Sequence, residues 1–85
     1  MESFTTPDFW KAYRALTPEL KSKVRKAYRL WRENPTHPSL HFKKVGGNLW
    51  SVRLTNDYRA LAIKKDGDYY WFWLGDHADY EQLLK

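Results

Sequence analysis

From Leu40 onward the chain reads as four strand-like runs, LHFKKV, LWSVRLT, YRALAIKK and YYWFWL, divided by the turn signals GGN, ND and DGD. Parallel neighbours need crossover connections of a dozen residues or more, so turns this short dictate an antiparallel meander of about four strands. In the second run Trp50, Val52 and Leu54 alternate with Ser51, Arg53 and Thr55, which gives each set its own face. The last run is apolar at every position. Strict alternation puts Tyr70, Phe72 and Leu74 opposite Tyr69, Trp71 and Trp73, and a strand apolar on both faces belongs at the centre of a sheet or under cover on both sides. Such aromatics are read as core before they are read as a base-stacking surface.

Ahead of the strands the same helix-start grammar occurs twice. Thr6 caps, Pro7 enters and Asp8 meets the positive end of the dipole, which predicts a helix over 7–15. Thr17, Pro18 and Glu19 repeat the pattern, and Leu20, Val24, Ala27, Tyr28 and Trp31 keep helical spacing until Asn34-Pro35 stops the second helix. Two helices joined this tightly form a hairpin, which must bury its apolar stripe on one face of the sheet. The expected class is α+β: an N-terminal two-helix hairpin on a meander, with a short helix after Gly75-Asp76, all within one domain over 1–85.

A chain of 85 residues needs a dense core, and aromatics make up 18% of this one. Fifteen Lys and Arg against ten Asp and Glu leave a formal charge of +5, which favours an anionic partner. Lys21, Arg25, Arg29 and Arg32, flanked by Lys23 and Lys26, read first as a solvated helix face. Without cysteine there is neither a disulfide framework nor a Cys-ligated metal, and a reducing compartment is the easier fit. No metal site is expected, because His37 and His41 stand around Pro38 with no Glu or Cys to complete a ligand set. MESFTTPDFW lacks the pattern of a signal peptide, and no apolar stretch reaches the length of a membrane span.

Two short helices followed by PSLHFKKVGGNLWSVRLTNDYRALAI and WFWLGDHADYEQLL resemble the RelE/ParE superfamily of small toxins from bacterial type II toxin-antitoxin systems, and within it the compact RelE-like or HigB-like group. The likeness runs from Phe9 to Leu84. It implies metal-independent cleavage of messenger RNA in the A site of the small ribosomal subunit, no cofactor, a cognate antitoxin as partner and a bacterial cytoplasmic setting. Arg59 of the YRA strand matches the arginine that family members use at the scissile phosphate. His77 matches a position of catalytic arginine or histidine, Tyr80 that of a functional tyrosine, and Ser51 and Arg53 fall where one branch has two lysines. Two departures stand out: Ser51 is neither acid nor base at neutral pH, and only ESFT is left for the family's N-terminal strand.

The side chains suit that chemistry on their own terms. RNA cleavage through the 2′-hydroxyl requires that hydroxyl deprotonated, the phosphorane's added charge stabilised and the leaving 5′-oxygen protonated. Arg53 and Arg59 fit the second task, since a guanidinium stays charged and grips two phosphate oxygens. His77 fits the first or third. Lys43, Lys44 and His41 are expected along the flanking RNA, with at most one of the two alternating lysines inward, and Ser51, Arg25 and Arg29 complete the expected RNA contacts. Arg59 is in phase with Leu61 and Ile63, so it sits at the strand's rim or is turned outward by a bulge. Gly75 is expected to permit a sharp exit from the last strand. The competing functions are a ParE-like poison of gyrase and an inactive RNA- or protein-binding module.

Overall fold

The computed structural model describes residues 2–85. Five strands and three helices follow in the order β1 (Ser3–Thr5), α1 (Pro7–Arg14), α2 (Pro18–Glu33), β2 (Lys43–Gly46), β3 (Leu49–Arg53), β4 (Tyr58–Lys65), β5 (Asp68–Asp76) and α3 (His77–Leu83). A single turn of 3-10 helix over Pro38–Leu40 precedes β2. The sheet order is β1-β5-β4-β3-β2, antiparallel from β2 to β5 as the short turns require.

One strand exceeds the expected four. Ser3–Thr5 lies parallel to β5, with Ser3 opposite Tyr69 and Thr5 opposite Trp71, so the sheet is mixed and β5 is flanked on both sides. The whole stretch from α1 to β4 separates the parallel partners, which satisfies the crossover requirement. Three residues carry no readable period, and only the partner strand reveals them as a strand.

Both helix starts form as the caps dictate. Thr6 Oγ1 accepts from Phe9 N at 3.4 Å and donates to the Trp71 carbonyl at 3.1 Å, so the residue that begins α1 also fastens it to β5. Thr17 Oγ1 accepts from Leu20 N at 3.2 Å. The hairpin packs Phe9, Val24, Ala27 and Trp31 against Val52, Ala60, Ala62, Tyr69, Trp71 and Leu74. Trp31 is the hub, edge-on to Trp71 at 5.2 Å, Tyr69 at 5.3 Å and Phe42 at 5.5 Å between ring centroids. Edge-to-face pairs of this kind add about 0.5–1.5 kcal/mol each beyond the area they bury. The indole nitrogens of Trp31 and Trp71 are buried without a hydrogen-bond partner, a local cost that the packing of the rings must exceed.

The last strand departs from strict alternation. Leu61 faces Trp73 while Ala62 faces Trp71, so Phe72 is an extra residue in a β-bulge. The bulge resets the phase: Tyr69, Trp71 and Leu74 point to the helices, and Trp73 shares the opposite face with Tyr70. That second face is partly covered, because α3 folds back on β4 and β5, and Ser51, Leu61 and Tyr80 are buried although they lie outside the helix-side core.

Candidate functional site

The sheet end nearest the β3–β4 turn collects positive charge. Arg53 stands directly opposite Arg59 in the β3–β4 register, and Arg59 is opposite Gly75 of β5. No bulge turns Arg59 outward: it stays in phase with Leu61, half-buried at the rim. Its Nη1 donates to the carbonyls of Thr55 at 2.7 Å, Tyr58 at 3.1 Å and Asn56 at 3.2 Å, which folds the guanidinium over the turn. The turn is itself held by Thr55 Oγ1, which accepts from the backbone of Asp57 at 3.2 Å and Tyr58 at 3.1 Å. Arg53 donates through Nη2 to Asn56 Oδ1. A cleft of about 400 Å³ opens between this turn and α2, lined by Arg53, Thr55 and Asn56 on one side and by Lys23, Lys26 and Leu30 on the other. Among the described residues Lys23 pairs with Glu19 and His77 lies against Glu81, and neither arginine has a carboxylate partner.

His77 begins α3, whose first turn is capped by Asp76 accepting from Asp79 N at 2.9 Å. The His77 backbone N–H donates to the Asp57 carbonyl at 2.6 Å, which ties the helix start to the same turn that the arginines hold. The imidazole is half-exposed, with Nε2 3.1 Å from Glu81 Oε1 and its ring stacked 6.0 Å from Tyr80. Gly75 has another role than the expected sharp exit. It remains within β5, and a Cβ placed there would stand 2.6 Å from Cη2 of Trp73, whose ring lies over it.

The remaining expected residues divide. Lys43 is exposed and pairs with Ser51, so it shares the arginines' face, whereas Lys44 pairs with Trp50 on the other. Ser51 is 2% exposed and Tyr80 6%, so the contact expected of Ser51 with RNA has no surface to work through, and Tyr80 can act only from beneath the His77 ring. His41 does not share a strand with Lys43. It caps the 3-10 turn in the left-handed region, at φ 44°, and the strand starts only at Lys43. Arg25 donates to the Tyr13 hydroxyl on the flank of α2 away from Arg53, while Arg29 is exposed. Lys23, Lys26 and Asn56 join the site unforeseen. Lys23, Lys26 and Leu30 do share one helical face by spacing, but nothing local says that Arg53 would meet that face.

Among the described residues no group of three or more His, Cys, Asp or Glu side chains could hold a metal ion, and no helix is long and apolar enough to cross a membrane.

No curated protein matches the sequence. Solved structures match the fold at low identity. A YoeB/ParE toxin from Agrobacterium tumefaciens is 18% identical, with a TM-score of 0.68 over 91% of this chain and 99% of that one. YafQ from E. coli is 13% identical, with a TM-score of 0.73 over 93% and 96% of the two chains. A chain of the RelB-RelE antitoxin-toxin complex from Methanococcus jannaschii is 9% identical, with a TM-score of 0.73 over 96% and 99%. Residues 18–82, from the start of α2 into α3 and so across the whole arginine site, match the family model of the ParE-like toxin domain, and the chain belongs to that family, within the RelE/ParE toxin superfamily.

Proposed function

We propose that this chain is the toxin of a bacterial type II toxin-antitoxin pair and that it cleaves messenger RNA on the ribosome without a metal, in the cytoplasm and under the control of a cognate antitoxin. The observation that carries the reading is the cross-strand pair Arg53 and Arg59, free of carboxylate partners among the described residues. Like charges directly opposite on neighbouring strands destabilise a sheet. A phosphate seated between them relieves the repulsion, and a phosphorane, with one more negative charge, relieves it further, which is the differential binding that accelerates a reaction.

In this mechanism Arg59, preset by three carbonyls, and Arg53, oriented by Asn56, take the non-bridging phosphate oxygens. His77 moves a proton at the 2′- or 5′-oxygen, with Glu81 orienting the imidazole. Lys23, Lys26 and Lys43 hold the neighbouring phosphates. The test is primer extension on a defined message in a translating extract, with wild-type protein and the Arg59→Ala and His77→Ala variants in parallel and their folding checked by circular dichroism. New 5′ ends within the reading frame that vanish with either folded variant support the reading; an uncut message refutes it.

Burial of Ser51 and Tyr80 leaves the RNase reading with fewer working groups than the family pattern supplies, and this favours gyrase poisoning as the second reading. Inhibition of supercoiling by a protein that leaves message intact would establish it.

A further inference from the structure

The cleft between α2 and the β3–β4 turn has a further lining residue, Ser39, to which the cleavage chemistry gives no role. Ser39 reaches the cleft from the 3-10 turn over Pro38–Leu40, and His37 caps that turn. The ring nitrogen Nδ1 of His37 lies 3.2 Å from the Ser39 backbone nitrogen and 2.8 Å from Ser39 Oγ. A backbone N–H can only donate, so Nδ1 carries no hydrogen and the imidazole keeps its proton on Nε2. The Ser39 hydroxyl must then donate to Nδ1 as well. Its single hydrogen is committed, and only its lone pairs are left to offer.

Every other polar side chain around the cleft offers a proton. Lys23, Lys26 and Arg53 are cationic donors. Thr55 Oγ1 accepts from the backbone N–H groups of Asp57 and Tyr58, which leaves its own hydrogen free, and Asn56 gives its Oδ1 to Arg53, which leaves its amide NH2 free. Such a set suits phosphate oxygens, which only accept. Ser39 cannot serve a phosphate, because two acceptors make no hydrogen bond, and it requires a donor on the ligand. RNA presents one on every sugar, the 2′-hydroxyl, and DNA has none there. A cleft of about 400 Å³ is within the range of small-ligand sites, so the phosphate and ribose of one nucleotide can enter together.

We propose that Ser39 is a specificity-determining residue that reads the 2′-hydroxyl of an RNA nucleotide held in this cleft, and that His37 is its positioning residue, keeping the serine proton turned away from the ligand. The lining of the cleft includes neither Arg59 nor His77, so the hydroxyl read by Ser39 is a different one from the hydroxyl that reacts and belongs to a neighbouring nucleotide. Ribose is thus required at a second position, beyond the 2′-oxygen that the cleavage chemistry itself consumes. The inference rests on the RNA-cleaving reading only for why RNA meets this face, and the recognition needs no bond to break.

The test measures, by fluorescence polarisation at fixed salt, the binding of the full chain to two labelled strands about eight nucleotides long, an oligouridylate and its 2′-deoxyuridine counterpart, which share bases and charge. The wild-type protein should bind the RNA about three- to tenfold more tightly, the contribution of one hydrogen bond. Ser39→Ala should bring RNA affinity down to that of the DNA and leave DNA affinity unchanged, whereas Ser39→Thr, which keeps a hydroxyl, should retain part of the preference. His37→Ala should lose most of it, and His37→Asn, whose side-chain oxygen takes the place of Nδ1, should keep it. Collapse of the turn would weaken both strands alike, so an equal loss with Ser39→Ala would overturn the proposal. So would a wild-type protein that binds neither strand or both equally, or a preference that survives Ser39→Ala. A protein that leaves message uncut yet shows a preference dependent on Ser39 would sink the RNase reading and leave the ribose contact standing; one that cuts message with a preference indifferent to Ser39 would do the reverse.

Discussion

Replacing Gly75 by alanine should cost stability through one neighbour. The new Cβ would stand 2.6 Å from Cη2 and 3.2 Å from Cε2 of Trp73, against the roughly 3.5–4.0 Å at which carbon atoms attract. The half-buried ring must therefore shift by about 1 Å, and overpacking of this size costs about 1–3 kcal/mol. For a domain of this length each kcal/mol lowers Tm by roughly 4–8 °C. A double-mutant cycle isolates the cause. In a Trp73→Val background the ring is gone, and Gly75, whose φ lies outside the left-handed region, should accept alanine with a gain of about 0.4–1 kcal/mol from reduced unfolded-state entropy. Urea titration of the four proteins, followed by far-ultraviolet circular dichroism, should then give a coupling energy above about 1 kcal/mol. Equal effects of Gly75→Ala in the two backgrounds would refute the claim that the tryptophan ring is what demands glycine there.

Thr6→Ala removes both the cap of α1 and its tie to the Trp71 carbonyl, and should lower unfolding free energy by about 1–2 kcal/mol in the same titration. Trp31→Ala empties the hub of the aromatic core and should cost about 3–5 kcal/mol, enough to broaden or abolish the thermal transition. Ser51→Lys, which introduces a lysine where the resemblance to one branch of the superfamily implies one, should destabilise by about 3 kcal/mol without raising cleavage, because position 51 is buried; a stable and more active variant would contradict that placement. Lys23→Glu with Lys26→Glu should weaken binding to single-stranded RNA and flatten its dependence on log salt by about 0.7 for each phosphate that the protein no longer neutralises, whereas Arg25→Ala should leave that slope unchanged.

Much of the architecture was legible because it is local. The two Thr-Pro caps, the Asn34-Pro35 stop and the short turns between alternating runs fix the hairpin and the antiparallel order through backbone chemistry that acts over a few residues. The same locality placed Arg53 and Arg59 on strands and His77 at a helix start, whereas the family resemblance singled them out as a candidate site. What the sequence withheld depends on distant partners. Ser3–Thr5 is a strand only because β5 receives it, and Phe72 is a bulge only because β4 is one residue shorter between the same ladder positions.

Local backbone preference and side-chain period thus determined the elements and the residues capable of the chemistry. Tertiary structure decided which of them meet: it buried Ser51 and Tyr80, sent Arg25 to the far flank of α2, and brought Lys23, Lys26 and Asn56 to Arg53. The physical reason is that burial and charge proximity are set by which faces pack together, and a helix and a sheet far apart in the chain choose those faces by the apolar area they can remove from water.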